Sequence, residues 1–218
     1  MYAAFHRLRQ QIFTPPSRSA IIREIDRMRK AGLALMAYFF FDFRNTQKQN
    51  RRDLLSSLLF QLSARSDACH GIFSQFYLDN DEGAQQPSDD ALSQCLIEML
   101  HVQGQPATYI IIDGLDESPN ISGTPAAREK VLDFLEDLVG LQLPNVHVCV
   151  SSRPEFDIRS ILEPLAVFNV SLHEESGQMA DISGYVKSFV HSDRKMRRWS
   201  AETQQLVIAT LSEKADGM

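Results

Sequence analysis

Short apolar runs without a charged residue constrain the fold of this chain more than any other feature. They occur at Leu33–Phe41, Tyr109–Ile112 and Val146–Val150. Because these runs lack the apolar–polar alternation of a sheet with one solvated face, they are typical of strands buried on both faces. Amphipathic stretches separate them, so we expect parallel pairing through helical crossovers. This pattern predicts an α/β fold.

The helix predictions rest on apolar residues that recur every three to four positions. In the clearest case, Asn50–Ala64, leucines form one continuous stripe along the helix. A fourth strand is predicted at Val167–Leu172, and Met1–Gln11 is compatible with a short basic helix. The other predicted helices are Ser19–Ala31, Asp67–Leu78, Ser88–His101, Pro125–Gly140, Ile158–Leu162, Gln178–His191 and Ala201–Ala215.

Charge and composition bear on partners and location. The formal net charge of −6 opposes non-specific nucleic-acid binding, which needs clustered cations. The longest apolar run is far shorter than the roughly 20 residues of a membrane span, and no signal peptide opens the chain. We therefore expect no nucleic acid and no membrane as partners, and an intracellular, cytoplasmic location. The three cysteines are widely spaced, which predicts neither a zinc site nor a disulfide framework.

Acidic side chains follow the second apolar run at the tip of its predicted strand. Asp113 ends the strand, and Asp116 and Glu117 come directly after a turn that Gly114 permits. Carboxylates this close repel one another, so a cation or water that relieves the repulsion is one reason to keep them together. Asp113 is then a candidate magnesium ligand, and Asp116 and Glu117 are candidates for water activation. A polar loop that caps the next helix remains an alternative.

A cation follows the third run. Arg153 stands between Ser152 and Pro154, and the proline restricts its backbone. A guanidinium held at a strand end can reach a γ-phosphate, although a surface arginine before a proline is also common. Ligands of parallel sheets lie beyond the carboxyl ends of the strands, so Asp113 and Arg153 are expected at one edge.

These strand ends carry a family resemblance. The relevant stretches are YIIIDGLDE at Tyr109–Glu117 and VCVSSRPEFDI at Val148–Ile158, supported by ALMAYFFFDFRN at Ala34–Asn45 and RRDLLSSLLFQL at Arg51–Leu62. With them the chain resembles the NACHT domain of fungal NOD-like proteins, close to the nephrocystin-type N-terminal NTPase module. The resemblance runs from about Ala20 to Met218. It implies an incomplete P-loop NTPase-like parallel sheet flanked by helices, with a C-terminal helical segment.

The resemblance also implies roles for individual residues. Asp113 corresponds to the magnesium carboxylate, Asp116 and Glu117 to candidates for water activation, and Arg153 to the sensor of the γ-phosphate. The implied cofactors are magnesium and ATP or GTP, and the implied role is a nucleotide switch for oligomerisation. Modules of this kind usually lie between an N-terminal effector and C-terminal repeats.

The phosphate-binding loop of that family is missing from the sequence. No G-x-x-x-x-G-K-[ST] motif occurs, and Thr14–Arg18 stands where it is expected. The strand that leads into such a loop belongs between the strands at Val146 and Val167, and Met1–Phe13 is too polar to be a good buried strand. We expect either a closed-up sheet or a gap. The predicted organisation is a tail at 1–18, a NACHT-like core at 19–175 and the start of a helical lid at 176–218.

These observations predict a truncated switch module that is defective in NTP hydrolysis and binds nucleotide weakly at most. An alternative is a non-enzymatic interaction or scaffold module that associates with intact NACHT-containing proteins. A third is a fragment that folds poorly. An autonomous ATPase is the interpretation that the missing loop disfavours most.

Overall fold

A computed structural model of the chain describes residues 2–6, 25–120, 126–171 and 176–214. These residues divide into two compact units, Tyr2–Val170 and Ser171–Met218, of which the second also includes Met1. The predicted helix start at Ser19, the Thr14–Arg18 segment and the end of the fourth predicted strand at Leu172 lie outside the described residues.

The first unit contains all but the last residue of a mixed sheet and most of the helices. Its strands are β1 (Tyr2–His6), β2 (Ala34–Phe40), β3 (Ala107–Asp113), β4 (Val146–Ser152) and β5 (Phe168–Ser171). Its helices are α1 (residues 25–30), α2 (Arg51–Ser63), α3 (Asp67–Asp79), α4 (Asp89–Leu100), α5 (Ala127–Gly140) and α6 (Phe156–Leu165). The second unit contains α7 (Ser176–Ser192) and α8 (Ala201–Lys214).

The sheet confirms the predicted α/β class. The strand order is β2-β3-β4-β1-β5, and the three neighbours β2, β3 and β4 run parallel. Each crossover between them contains at least one helix, as the alternation of apolar runs and amphipathic stretches predicts. The observed parallel strands and helices match their predicted ranges to within a few residues.

The amino-terminal strand corrects one prediction. Tyr2–His6 is not helical but forms β1, which pairs antiparallel with β4 and lies between β4 and β5. This is the place where the resemblance requires the strand that leads into the phosphate-binding loop. The sheet is therefore neither closed up nor open there. An unfilled slot would leave two rows of backbone N–H and C=O groups unpaired, and any strand that pairs with both relieves that cost.

The main core lies on one face of the parallel strands. The side chains of alternate residues, such as Ala37, Ile110 and Val148, point to this face and are buried. The leucine stripe of α2 packs against them, together with apolar residues of α4, α5 and α6. The fully buried members of the stripe are Leu54, Leu55, Leu58, Leu59 and Leu62.

The opposite face is less covered than the apolar run of β2 predicts. Met36 and Ile111 are buried there in a small cluster with Ile25 of α1. Tyr38 and Phe40, further along β2, are each 38% exposed. Among the described residues Ile25 is the only helical member of this cluster, which explains why burial is limited to its surroundings.

A backbone motif at the end of α1 and a side-chain contact at the edge of β2 also stabilise this unit. Gly32, with φ of +71°, ends α1 with the hydrogen-bond pattern of a Schellman motif, as its position in the sequence suggests. On the outer edge of β2, Gln61 accepts from the N–H of Tyr38 at 3.2 Å and donates to its carbonyl at 2.7 Å. This amide occupies backbone groups that an edge strand otherwise offers to another chain.

None of the described helices is long and apolar enough to cross a membrane.

Candidate functional site

The carboxyl ends of the three parallel strands meet at one edge of the sheet. The strand register places Phe40, Asp113 and Ser151 side by side. The segments that follow them are Phe41–Arg44, Gly114–Ser118 and Arg153–Phe156, and we call these three segments the rim. The rim holds every candidate site residue that the sequence predicts except Asp113, which lies at its base.

Asp113 contacts the neighbouring strand. Its carboxylate accepts a hydrogen bond from the hydroxyl of Ser151, its register partner on β4. Both residues point to the less covered face of the sheet, because they continue the alternation of Ile111 and Cys149. A strand-end carboxylate is therefore present at the predicted place, with a hydroxyl beside it.

A left-handed residue turns the chain after β3. Gly114 has a φ of +68°, and a Cβ at this position would lie 3.4 Å from the carbonyl oxygen of Phe41. Both the backbone angle and the close approach favour glycine. The turn sends Leu115 into the core, where it is fully buried, and leaves Asp116 and Glu117 on the rim.

Asp116 is held by the segment after β4. Its Oδ1 accepts from the backbone N–H of Arg153 at 3.0 Å and from the hydroxyl of Ser152 at 3.4 Å. Its Oδ2 lies 3.4 Å from Nε of Arg153, and the side chain is only 11% exposed. The carboxylate thus links the start of the rim segment after β4 to the turn after β3.

Glu117 makes the equivalent contact on the other side. Its Oε2 accepts from the backbone N–H of Phe43, in the segment after β2, at 3.2 Å. In that segment the N–H of Arg44 donates to Asp42 at 2.9 Å, and this hydrogen bond lowers the pKa of Asp42. Consecutive carboxylates therefore bind the main chain of both neighbouring rim segments.

Arg153 projects from the rim. Its backbone is fixed by Asp116 and by the ring of Pro154, and its side chain is 80% exposed. Within the part of the chain that the structure describes, only Nε of the guanidinium has a protein partner. The two terminal nitrogens present a planar donor pair suited to a carboxylate or phosphate.

Arg128 is a site residue that motif reading did not identify. It lies in the first turn of α5, is 4% exposed, and donates through Nε to the carbonyl of Ser118 at 3.0 Å. Nη2 donates to the carbonyl of Asp116, and Nη1 contacts Glu155 and, at 3.2 Å, Asp157. One feature of the sequence could have identified it: Arg128 is a cation next to the inward-facing apolar stripe of α5, where an apolar residue is usual.

β1 runs in the direction opposite to that of a strand that leads into a phosphate-binding loop. Tyr2 lies beside Ser152 at the rim, and the chain then runs to His6, which pairs with Val148 near the opposite edge. A P-loop strand runs the other way and delivers its last residue, and the glycine-rich loop, to the rim. Here the chain leaves β1 on the side remote from Asp113 and Arg153.

The described residues supply only part of the donor set of the magnesium–nucleotide site that the resemblance implies. Oδ1 of Asp116 and Oε2 of Glu117 each accept from rim main chain, and in the described ranges no three His, Cys, Asp or Glu side chains are grouped to hold a metal ion by themselves. Asp113 and Arg153 nevertheless lie on adjacent strands, as predicted. The roles that the resemblance suggests for these four residues stay predictions.

Comparison with known proteins gives one match. A family model described as nephrocystin 3, N-terminal, matches residues 18–153, which is more than half of the chain. The matched segment begins after β1 and ends at Arg153, so it includes the whole YIIIDGLDE motif and the second strand-end motif only as far as Arg153. No curated protein matches. No solved structure matches either.

Proposed function

The chain belongs to the nephrocystin 3 N-terminal family, and from this premise we propose that it is a NACHT-type module that has lost NTP hydrolysis and binds nucleotide weakly at most. The observation that carries the proposal is the antiparallel course of β1 through the place of the loop-bearing strand. Phosphate binding in P-loop proteins depends on backbone N–H groups at the end of that strand and at the start of the next helix.

The rim supports the same proposal. Oδ1 of Asp116 accepts from the main-chain N–H of Arg153, and Oε2 of Glu117 accepts from that of Phe43. A carboxylate that activates water must have an oxygen within hydrogen-bond reach of that water. We infer that the acidic pair of this chain joins the rim segments to one another, and that the module works as a folded scaffold and not as an enzyme.

Thermal unfolding with and without millimolar magnesium-ATP tests this proposal. A nucleotide present at one hundred times its dissociation constant adds about 2.7 kcal/mol to the free energy of unfolding. For a chain of this size 1 kcal/mol corresponds to roughly 2–4 °C in Tm, so the nucleotide would raise Tm by roughly 5–11 °C. We expect no such shift, and no release of phosphate during incubation with ATP or GTP.

The control variant is Asp113→Asn, measured with the same nucleotides. A shift in the parent chain that Asp113→Asn abolishes would overturn the proposal, because it would place a magnesium–nucleotide complex at the strand end. A shift that survives in Asp113→Asn would also contradict weak binding and would locate the nucleotide elsewhere. Equal Tm values with and without nucleotide would support the loss of binding.

A second function is association with intact NACHT-containing proteins, and the exposed side chains of the rim favour it. Phe156 is 88% exposed and Phe43 is 65% exposed, although both belong to segments held by hydrogen bonds. Exposed aromatic and arginine side chains are the residue types that dominate protein–protein contacts. Arg153 adds a donor pair to the same rim segment as Phe156.

Co-purification with an intact NACHT protein that retains its G-K-[ST] loop tests the association. We expect the double variant Arg153→Ala/Phe156→Ser to reduce the recovered partner at least about tenfold, as expected for loss of a binding hot spot. The control is Phe60→Ser, which removes another largely exposed phenylalanine (66%) from α2, outside the rim. Equal recovery with the double variant, or equal loss with Phe60→Ser, would contradict a rim interface.

A further inference from the structure

Arg128 occupies a position that favours an apolar residue. It faces inward from the first turn of α5 and is 4% exposed. A cation at a helix N-terminus opposes the helix dipole, and its burial is costly unless its donors are satisfied. Replacing a buried ion pair by apolar side chains is often neutral or stabilising. Fold stability alone therefore gives a weak reason for an arginine here, and its contacts suggest another.

Those contacts converge on the two sides of Arg153. On one side, Nη2 of Arg128 donates to the main-chain carbonyl of Asp116, whose carboxylate binds the N–H and Nε of Arg153. On the other side, Nη1 contacts Glu155, two residues beyond Arg153, and Asp157 in the first turn of α6. One buried guanidinium thus anchors both the residue that holds Arg153 and the segment that follows it.

Other polar contacts extend this cluster. Asn120 donates to the same Oδ2 of Asp157 that Arg128 contacts, at 3.0 Å. The hydroxyl of Ser118 donates to the carbonyl of Gln49, just before α2, at 2.7 Å, while the carbonyl of Ser118 accepts from Arg128. The planar fork of arginine can serve acceptors in several directions at once, which the compact ammonium of lysine cannot.

We propose that Arg128 is a positioning residue that fixes the orientation of Arg153 on the rim. It holds the turn after β3 and the start of α6 at a set separation, and Arg153 projects from the short segment between them. The inference rests on the proposed role of the rim as the surface that this module presents, and it identifies what makes that surface rigid.

Amide hydrogen exchange of the free chain tests the inference directly. The reporters are the N–H of Arg153, bonded to Asp116, and the N–H of Glu155, bonded to the carbonyl of Arg153 at 2.9 Å. In Arg128→Met we expect exchange at both amides to rise at least about tenfold, as expected when a hydrogen bond to a charged acceptor is released locally. Amides in the centre of β3, such as that of Ile111, should keep their protection.

Two further variants keep the test decisive. Arg128→Lys retains the charge without the fork and should give an intermediate increase, and it carries the test if the methionine variant does not fold. Arg159→Met removes an exposed arginine of α6 whose ion-pair partner among the described residues is Glu163, and it should leave both reporters unchanged. Unchanged exchange at Arg153 in both Arg128 variants, or an equal rise at Ile111, would overturn the inference.

The hydrogen-exchange rates of the free chain are measured without nucleotide or partner protein. If the chain binds magnesium-ATP but the Arg128 variants loosen Arg153 as expected, the proposed function fails and the positioning role stands. If no nucleotide binds and Arg153 stays protected in the variants, the positioning role fails alone.

Discussion

Replacing Ala4 by proline should lower the free energy of unfolding by about 1–3 kcal/mol or more, because it removes a ladder hydrogen bond and leaves a backbone acceptor unsatisfied. Ala4 is the middle residue of β1 and pairs with Val150 of β4. Because β1 lies between β4 and β5, its N–H groups face a neighbouring strand on either side. Proline lacks this donor, so it is confined to edge strands and bulges of natural sheets. A loss of this size is a large part of the usual margin of about 5–15 kcal/mol.

Urea unfolding measures the effect, with Ala4→Ser as the matched control. Serine keeps the N–H and a small side chain, so its transition midpoint should stay close to that of the parent. If proline and serine at position 4 unfold at the same urea concentration, β1 is not a central strand. The place of the loop-bearing strand would then be empty, and the antiparallel course of β1 would no longer speak against nucleotide binding.

Most of the fold could be predicted because its elements have strong local patterns. The leucine stripe of α2 follows the helical period over its whole length, and the strands β2, β3 and β4 contain short apolar runs without a charged residue. All were found within a few residues of their predicted bounds. The helix starts at Asn50, Ser66 and Ser88 also carry side-chain caps. Convergence of Asp113 and Arg153 followed from the geometry of parallel strands alone.

The amino-terminal strand could not be predicted because its pairing is non-local. Residues Tyr2–His6 have no clear alternation, and their pairing partners, Val148–Ser152, are distant in sequence. What selects a strand there is the open slot between β4 and β5, which is a property of the whole sheet. Local propensity favoured a helix, and tertiary pairing overrides it.

The roles of the acidic residues were also beyond a local reading. A sequence motif indicates which side chains are near a strand end, but not which donors they meet. Asp116 meets Arg153 because the turn at Gly114 directs it towards β4, and Glu117 meets Phe43 because the same turn directs it towards β2. Arg128 remained hidden because its partners are mainly carbonyl oxygens and distant carboxylates, which leave no pattern in sequence.

The variant Asp116→Asn distinguishes two roles of this carboxylate, which are to hold the rim segments together or to activate water. When it links the rim segments, the carboxylate accepts a hydrogen bond from the backbone of Arg153 on Oδ1 and forms an ion pair with the guanidinium of Arg153 through Oδ2. The amide of asparagine offers only one acceptor oxygen, so one of these donors would face an NH₂ group. Since hydrogen bonds to charged groups contribute about 1.5–3 kcal/mol, we expect the free energy of unfolding to fall by that amount. Urea unfolding measures the loss.

The opposite sign is expected if Asp116 is kept for water activation. Three carboxylates close together repel one another, and removing one charge from a site selected for chemistry usually raises stability. The control is Asp133→Asn, an exposed carboxylate of α5, which should change stability by less than about 0.5 kcal/mol. A stabilised Asp116→Asn variant would return Asp116 to the candidate catalytic residues. A destabilised one would support a rim built to hold Arg153 in place.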